Sequence, residues 1–409
     1  MPSIRLSIQP RKYSKAGNVK FLLSTLWAFL VLYQPPLPVS IIYLLTGASF
    51  AYLALFARKK INHYVVLLLP FTFMFCMLLA VNTFNGNSIS SISHLFWLWV
   101  CIIPAGLVFS SISEKSFDYI VKVLITAASL QGAIAYACLL SPTFQTFIFK
   151  IMQQNGLYSS EHIAKWGYRI YGYGNSLMYS IPVSQAVIAA MAMVYGILRK
   201  KTYYSFLSLL IIFVSMINAK TSVFVFLGVL IICAYFKRRD LSRRSFRILI
   251  ILICFVVLLN IGMDFLSQSH AKLFKWLGLI RDYSSIQDNY MNYYTDATKW
   301  ILPEGLSIVW GTGEPRPNAD VDMGFVNDVW IGGILYTLFT LFTVVYAAYL
   351  IRKKPFFDKA WAKGLSCSFL VTYLIANTKG SAFSYSSFMA LFVMVALFGY
   401  RDYCVRKEK

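Results

Sequence analysis

The run SLMYSIPVSQAVIAAMAMVYGIL, residues 176–198, carries no charged side chain and is followed at once by Arg199-Lys200-Lys201. A helix needs about 20 mainly apolar residues to cross the hydrocarbon core of a bilayer, and this run supplies them. The cations at its end assign that end to the cytoplasm, because short cytoplasmic loops retain Lys and Arg. Working outward, runs of the same kind lie at about 20–34, 37–57, 63–82, 93–112, 117–140, 203–218, 221–236, 246–263, 324–351, 364–377 and 382–399. The expected fold is therefore all-α: a single polytopic membrane domain over residues 1–409, with about twelve transmembrane helices. Two places are ambiguous. Pro35, Pro36 and Pro38 fit either a tight hairpin or a kink in one longer segment, and the short run 203–218 could form one broken helix with its neighbour across Lys220.

Composition agrees. Of 409 residues, 58% are hydrophobic and 13% charged, against about 25% charged in a soluble domain, which argues against an ordinary water-soluble enzyme. The net charge of +22 would suggest a nucleic-acid partner in a soluble chain. Here 28 of the 38 basic residues fall in the segments assigned to the cytoplasm, among them Arg58-Lys59-Lys60, the Lys237-to-Arg247 cluster and Arg352-Lys353-Lys354. Only six of the 16 carboxylates join them, so the outer side is neutral overall. The excess is a topology signal suited to anionic inner-leaflet lipid, with both termini inside and no nucleic-acid partner. Met1–Lys20 reads as the flank of a retained first span, since no small-residue cleavage site follows the first apolar run. Six of the seven cysteines fall within spans and Cys404 in the tail, a pattern of apolar fillers with no outer-loop disulfide.

Two connections are long and face outward, 141–175 and 264–323. Loops of that length are usually functional or linkers. Phe144, Phe147, Ile148, Ile151 and Met152 fall at helical spacing in the first, which predicts a short surface helix. The second carries apolar and aromatic residues, including Tyr290, Tyr293, Tyr294, Trp300 and Trp310, which suit either sugar rings or the membrane interface. Cytoplasmic loops are too short for a domain, so chemistry belongs at the outer face. The spans are almost free of ionisable groups, which counts against a proton-coupled transporter.

Three outward features stand out. Arg169, in Tyr168-Arg169-Ile170-Tyr171-Gly172-Tyr173-Gly174, pairs a guanidinium suited to phosphate with Gly172 and Gly174, whose backbone can approach an anion closely. An interface anchor beside tyrosines is the plainer reading. Lys220, before Thr221 and Ser222, is either a snorkelling side chain or a phosphate contact at a helix start. The third runs from Gly311-Thr312-Gly313-Glu314-Pro315-Arg316 through Asp320 and Asp322 to Gly324-Phe325-Val326-Asn327-Asp328 and Gly332-Gly333. It holds carboxylates able to act as a general base, unless it is only a solvated acidic turn. The four histidines show no metal-ligand spacing, no nucleophile elbow is present, and neither a metal nor a cofactor is expected.

On Arg169-Ile170-Tyr171-Gly172, the Lys220 turn and residues 305–335, the chain resembles the bacterial O-antigen polymerases, which are similar in turn to the O-antigen ligases. The resemblance covers most of the chain in topology and is patchy in motif. It implies an inverting, metal-independent glycosyltransferase of the inner membrane with its active site facing the periplasm. The substrates would be oligosaccharide units on undecaprenyl diphosphate, and a chain-length regulator protein a further partner. By the same resemblance Arg169, and Arg281 or Arg316, hold diphosphate or glycan with Lys220, while Asp322, or else Asp320 or Glu314, serves as base. The ligases carry an arginine where this chain has Lys220, and a histidine in the turn that here reads Asp322 to Asp328. That favours polymerase over ligase. A lipid-linked-oligosaccharide flippase is the other alternative; it would need polar residues lining a central path.

Overall fold

The computed structural model describes residues 15–37, 40–87, 92–155, 159–167, 172–174, 180–219, 221–238, 296–316, 323–354, 357–378, 380, 382–383 and 386–398. Among the described residues every regular element is helical. In order they are α1 (Lys15–Tyr33), α2 (Ile41–Phe56), α3 (Arg58–Phe84), α4 (Ser93–Trp97), a π-helical turn (Leu98–Ile102), α5 (Ile103–Ile112), α6 (Phe117–Leu140), α7 (Pro142–Gln154), α8 (Ser160–Trp166), α9 (Ser180–Arg199), α10 (Thr202–Asn218) and α11 (Thr221–Phe236). After a 3₁₀ turn at Ala297–Trp300 come α12 (Ser307–Trp310), α13 (Gly324–Arg352), α14 (Lys359–Asn377) and α15 (Ser387–Leu397).

Four helical stretches, Leu95–Ile112, Phe117–Leu140, Ser180–Arg199 and Gly324–Arg352, are long and apolar enough to cross a membrane. Large apolar side chains such as Phe56, Phe73, Phe84 and Phe342 are left exposed on helix surfaces; in a soluble protein so many would be a liability, and in hydrocarbon they are at home. The chain is a multi-pass membrane protein. Helices overlie the other expected segments too, except 246–263, which lies outside the described residues.

Local chemistry explains the boundaries. Helix α1 stops at Tyr33, ahead of Gln34 in a left-handed conformation (φ 46°) and Pro35-Pro36, and α2 starts afresh at Ile41. The prolines thus make a hairpin, because proline can neither donate nor fit inside a helix. Ala219 is extended (φ −155°, ψ 125°), so α10 and α11 are two helices. Ser116, Ser141 and Ser386 cap α6, α7 and α15 by accepting the amides of Tyr119, Phe144 and Met389; each satisfies a donor that a helix start leaves open. The expected surface helix is α7, which turns Ile148 and Met152 onto Cys138 of α6.

Helix α9 forms the axis. Ala186, Ala189, Ala190 and Ala192 are fully buried, and small residues let neighbouring backbones approach closely. Helices α6, α10, α11, α14 and α15 all pack against it. Between the helices, hydroxyls bond across: Ser184 Oγ lies 2.6 Å from Ser387 Oγ, and Ser180 Oγ accepts the Ser387 amide at 2.9 Å.

Charge is paired at one end of the bundle. Arg199 at the end of α9 meets Asp118 at the start of α6 at 2.5 Å. Lys237 after α11 meets Asp358 before α14, and Lys354 donates to the carbonyl of Ala396. We call this the basic end, and the opposite one, where α1, α3, α6, α10 and α14 finish, the loop end.

Candidate functional site

At the loop end the structure turns on one broken helix. Gly332 (φ −140°, ψ 17°) and Gly333 (φ 68°, ψ −168°) interrupt α13, so residues 324–331 form a short half-helix and the rest a long one. The expected apolar run 324–351 contains these glycines, and the structure shows that they divide it. The reason is contact with the turn made by α12. A Cβ on Gly333 would lie 2.0 Å from the Val309 carbonyl oxygen, and one on Gly311 (φ 80°) 2.5 Å from the Gly332 nitrogen. Only glycine permits both the conformations and the approach.

The break leaves the last carbonyls of the half-helix without helical partners, and the 311–313 segment supplies donors. Thr312 gives its amide (2.6 Å) and its hydroxyl (3.0 Å) to Trp330 O, and Gly313 gives its amide to Ile331 O (3.1 Å). From the other side Asn85 Nδ2 and Asn87 Nδ2 both donate to Thr312 O, at 2.8 and 2.6 Å. Gly313 (φ 90°) rests on the side chain of Asn82, where a Cβ would come within 2.7 Å of Oδ1. Trp330 Nε1 reaches back to Ile301 O at 3.0 Å. The 301–313 segment is therefore tied to α3 and to α13 at once.

Two of the expected site residues follow directly. Glu314 is exposed, and its amide donates to Thr312 Oγ1 at 3.5 Å. Arg316 is half-buried, and its Nη1 is enclosed without a hydrogen-bond partner. A buried guanidinium donor left unmatched is costly, and it marks where an acceptor of a bound ligand would be welcome. Nearby, Asp296 is held below the ordinary carboxylate range, first by the hydroxyl and amide of Thr298 and then by the charges of Lys299 and Arg316. Asp320, Asp322, Arg169, Lys220 and Arg281 lie outside the described residues.

Gly172 and Gly174 sit in a second neighbourhood, against α1 and α6. Gly172 (φ 112°) abuts Gln131, and Gly174 abuts the Tyr33 carbonyl; a Cβ would come within 2.5 and 2.7 Å of them. Between the two glycines, Tyr173 exchanges 3.1 Å hydrogen bonds through its amide and carbonyl with the Gln131 side-chain amide, and its hydroxyl donates to Pro36 O. Both glycines are needed for this close packing, which presses the end of the first long loop onto the α1–α2 hairpin.

Asp328 belongs to the third sequence feature but has no role of its own there. It lies in the half-helix, fully buried, and its Oδ2 accepts from Asn377 Nδ2 of α14 at 3.1 Å. Asn377 Oδ1 in turn accepts the Ala382 amide at 2.7 Å. A signal was present: Gly324, Asp328 and Gly332 recur every fourth residue on one helix face, and a face lined by glycines is built for close packing. Gly324 indeed packs there, with the Gly380 carbonyl oxygen 2.3 Å from where its Cβ would stand.

No group of three metal-ligating side chains is found among the described residues. No family model matches the chain, and no curated protein matches it. What fold and site define is a class: a helical, multi-pass membrane protein with a loop clamped between two helices at one end.

Proposed function

We propose that the chain is an O-antigen polymerase, an inverting glycosyltransferase that joins oligosaccharide units carried on undecaprenyl diphosphate at the periplasmic face of a bacterial inner membrane. The observation that carries the reading is Arg316. It offers an unpartnered, enclosed guanidinium nitrogen on a loop anchored at the end of a membrane-embedded bundle, where a lipid-linked anion would present its headgroup. In this reading the basic end faces the cytoplasm and the loop end the periplasm, and the chain crosses the membrane twelve times.

The chemistry needs little beyond these residues. The lipid diphosphate on the growing chain is already a leaving group. An acceptor hydroxyl of the incoming unit attacks the anomeric carbon from the face opposite the diphosphate. The new C–O bond forms as the old one breaks, which inverts that centre. The hydroxyl proton passes to a carboxylate, Asp322 or else Asp320 or Glu314. The charge that develops on the departing diphosphate is stabilised by the donors of Arg316, Arg169 and Lys220, with Arg281 in the same loop as Arg316.

The test is genetic and then biochemical. Deleting the gene should leave lipopolysaccharide core bearing a single repeat unit; an unchanged ladder removes the reading, and loss of all O-antigen points to a ligase or flippase. Arg169→Ala at normal protein level should abolish polymer. Asp322→Asn in purified enzyme given lipid-linked units should abolish turnover, and undiminished turnover would move the base to another residue.

A further inference from the structure

The loop that bears Glu314 and Arg316, and in the sequence Asp320 and Asp322, leaves and returns to the same element. It departs at Thr312–Gly313, which are bonded to Trp330 O and Ile331 O at one end of the 324–331 half-helix. It returns at Met323–Gly324, the other end of that half-helix. Whatever sets the position of this strut sets both ends of the loop. On one side it is set by the α12 turn, wedged against Gly332 and Gly333. On the other, a polar tie runs from Asp328 to Asn377, with Asn377 holding the Ala382 amide and Gly324 seated on Gly380. A carboxylate buried beside hydrocarbon is expensive to keep, so a purely apolar contact would serve packing better. What the pair adds is direction: it ties the strut to α14 and to the turn after it at one register.

We propose that Asp328 is a positioning residue that, through Asn377, fixes the strut and thereby the acidic loop at its two ends. It touches no reacting atom. Its functional arm rests on the glycosyltransferase reading, whereas its structural arm stands without it.

The experiment uses the full-length protein in lipid nanodiscs and compares Asp328→Ala, Asn377→Ala and the exchange Asp328→Asn with Asn377→Asp. The exchange keeps both hydrogen bonds: Asn at 328 donates to a carboxylate oxygen at 377, and the other oxygen of that carboxylate accepts the Ala382 amide. Hydrogen exchange at the Thr312 and Gly313 amides is read by mass spectrometry, and polymer yield is read in cells at matched protein level. Either alanine variant should lose protection at Thr312–Gly313 and lower polymer by about 100-fold, the size expected for a displacement of about 1 Å at the chemistry. The exchange should restore both. Unchanged protection in Asp328→Ala overturns the proposal. So does an exchange variant that regains protection without polymer, since that would make the Asp328 carboxylate itself the chemical group. Loss and rescue of protection in a protein that makes no polymer even as wild type leaves the positioning role standing and sinks the glycosyltransferase reading alone. If the alanine variants fail to accumulate, Asn377→Asp alone, which sets two carboxylates against each other and leaves Asp328 without that donor, takes their place: it should lose protection that the exchange regains, and equal protection in the two overturns the proposal.

Discussion

Gly333 and Val309 are separated by 24 residues in the chain, yet a Cβ on Gly333 would stand 2.0 Å from the Val309 carbonyl oxygen. The half-helix, the α12 turn and the loop after it meet at that contact, so its disruption should be felt well beyond one residue.

Gly333→Ala should therefore be strongly destabilising. The conformation alone (φ 68°, ψ −168°) costs about 1–3 kcal/mol for a residue with a side chain, before the collision with Val309. Gly47→Ala is the control: it lies in α2 with nothing within 4 Å of a new Cβ, and should be stabilising by up to about 1 kcal/mol. Thermal unfolding in detergent reads both, and a neutral Gly333→Ala would remove the wedge from the account.

The two asparagines on Thr312 O should behave non-additively. Asn85→Ala or Asn87→Ala alone leaves the carbonyl one donor, at 2.6 or 2.8 Å. The double variant leaves it none, so its loss should exceed the sum of the single losses by about 0.5–3 kcal/mol, the range seen for groups sharing a partner. A double-mutant cycle on unfolding free energies is the measurement; strict additivity would mean that one of the bonds is idle.

Arg316 separates charge from geometry. If its guanidinium meets a lipid-linked diphosphate, Arg316→Ala should abolish polymer, and Arg316→Lys should leave partial activity, since lysine keeps the charge and loses the planar fork. Lipopolysaccharide ladders at matched protein level report the outcome. A wild-type ladder from Arg316→Ala would show that the enclosed nitrogen has no ligand.

Asp358 has a dual role that pH can divide. Its carboxylate caps α14 through the Ala360 amide at 2.8 Å and pairs with Lys237. It is held below the ordinary carboxylate range chiefly by the hydrogen bond from that lysine and further by the Ala360 amide. A depressed carboxyl lends stability that is complete above its unfolded value near 3.9 and is lost as pH falls through the folded value. Wild-type melting temperature should thus drop between about pH 5 and about pH 3 more than that of Asp358→Asn, which keeps the cap and lacks the titration. Equal slopes would mean that neither the Lys237 contact nor the Ala360 amide holds this carboxyl down. Asp358→Ala loses the cap as well, at about 0.5–2 kcal/mol.

Much of the architecture was legible because it rests on local rules. The apolar run at 176–198 and its terminal cations announce α9; the Pro35-Pro36 pair marks a helix end, although only the structure decides that α2 restarts at Ile41. The spacing of Ile148 and Met152 reports the buried face of α7. The site is harder to read, because its parts touch across long separations. Nothing near Thr312 in sequence indicates that Asn85 and Asn87 hold it. Gly332-Gly333 is visible as a pair, but whether two glycines begin, end or divide a helix depends on what approaches them. Asp328 reads as one more carboxylate in an acidic turn until Asn377, on another helix, is brought beside it.

The placing of α9 has a consequence for biogenesis. It is deeply buried, with 83% of its most apolar stretch inside the protein, yet of the helices packed against it α10, α11, α14 and α15 are all synthesised later. Until they arrive, Ser180, Ser184 and Gln185 face lipid or translocon with their eventual partners Ser387 and Ser215 still unmade. Of the described helices the last, α15, also packs on α1 and α5, so the element made last joins those made first. A ribosome that stops before α15 would release a bundle with an open polar seam, the kind of defect that membrane proteases recognise.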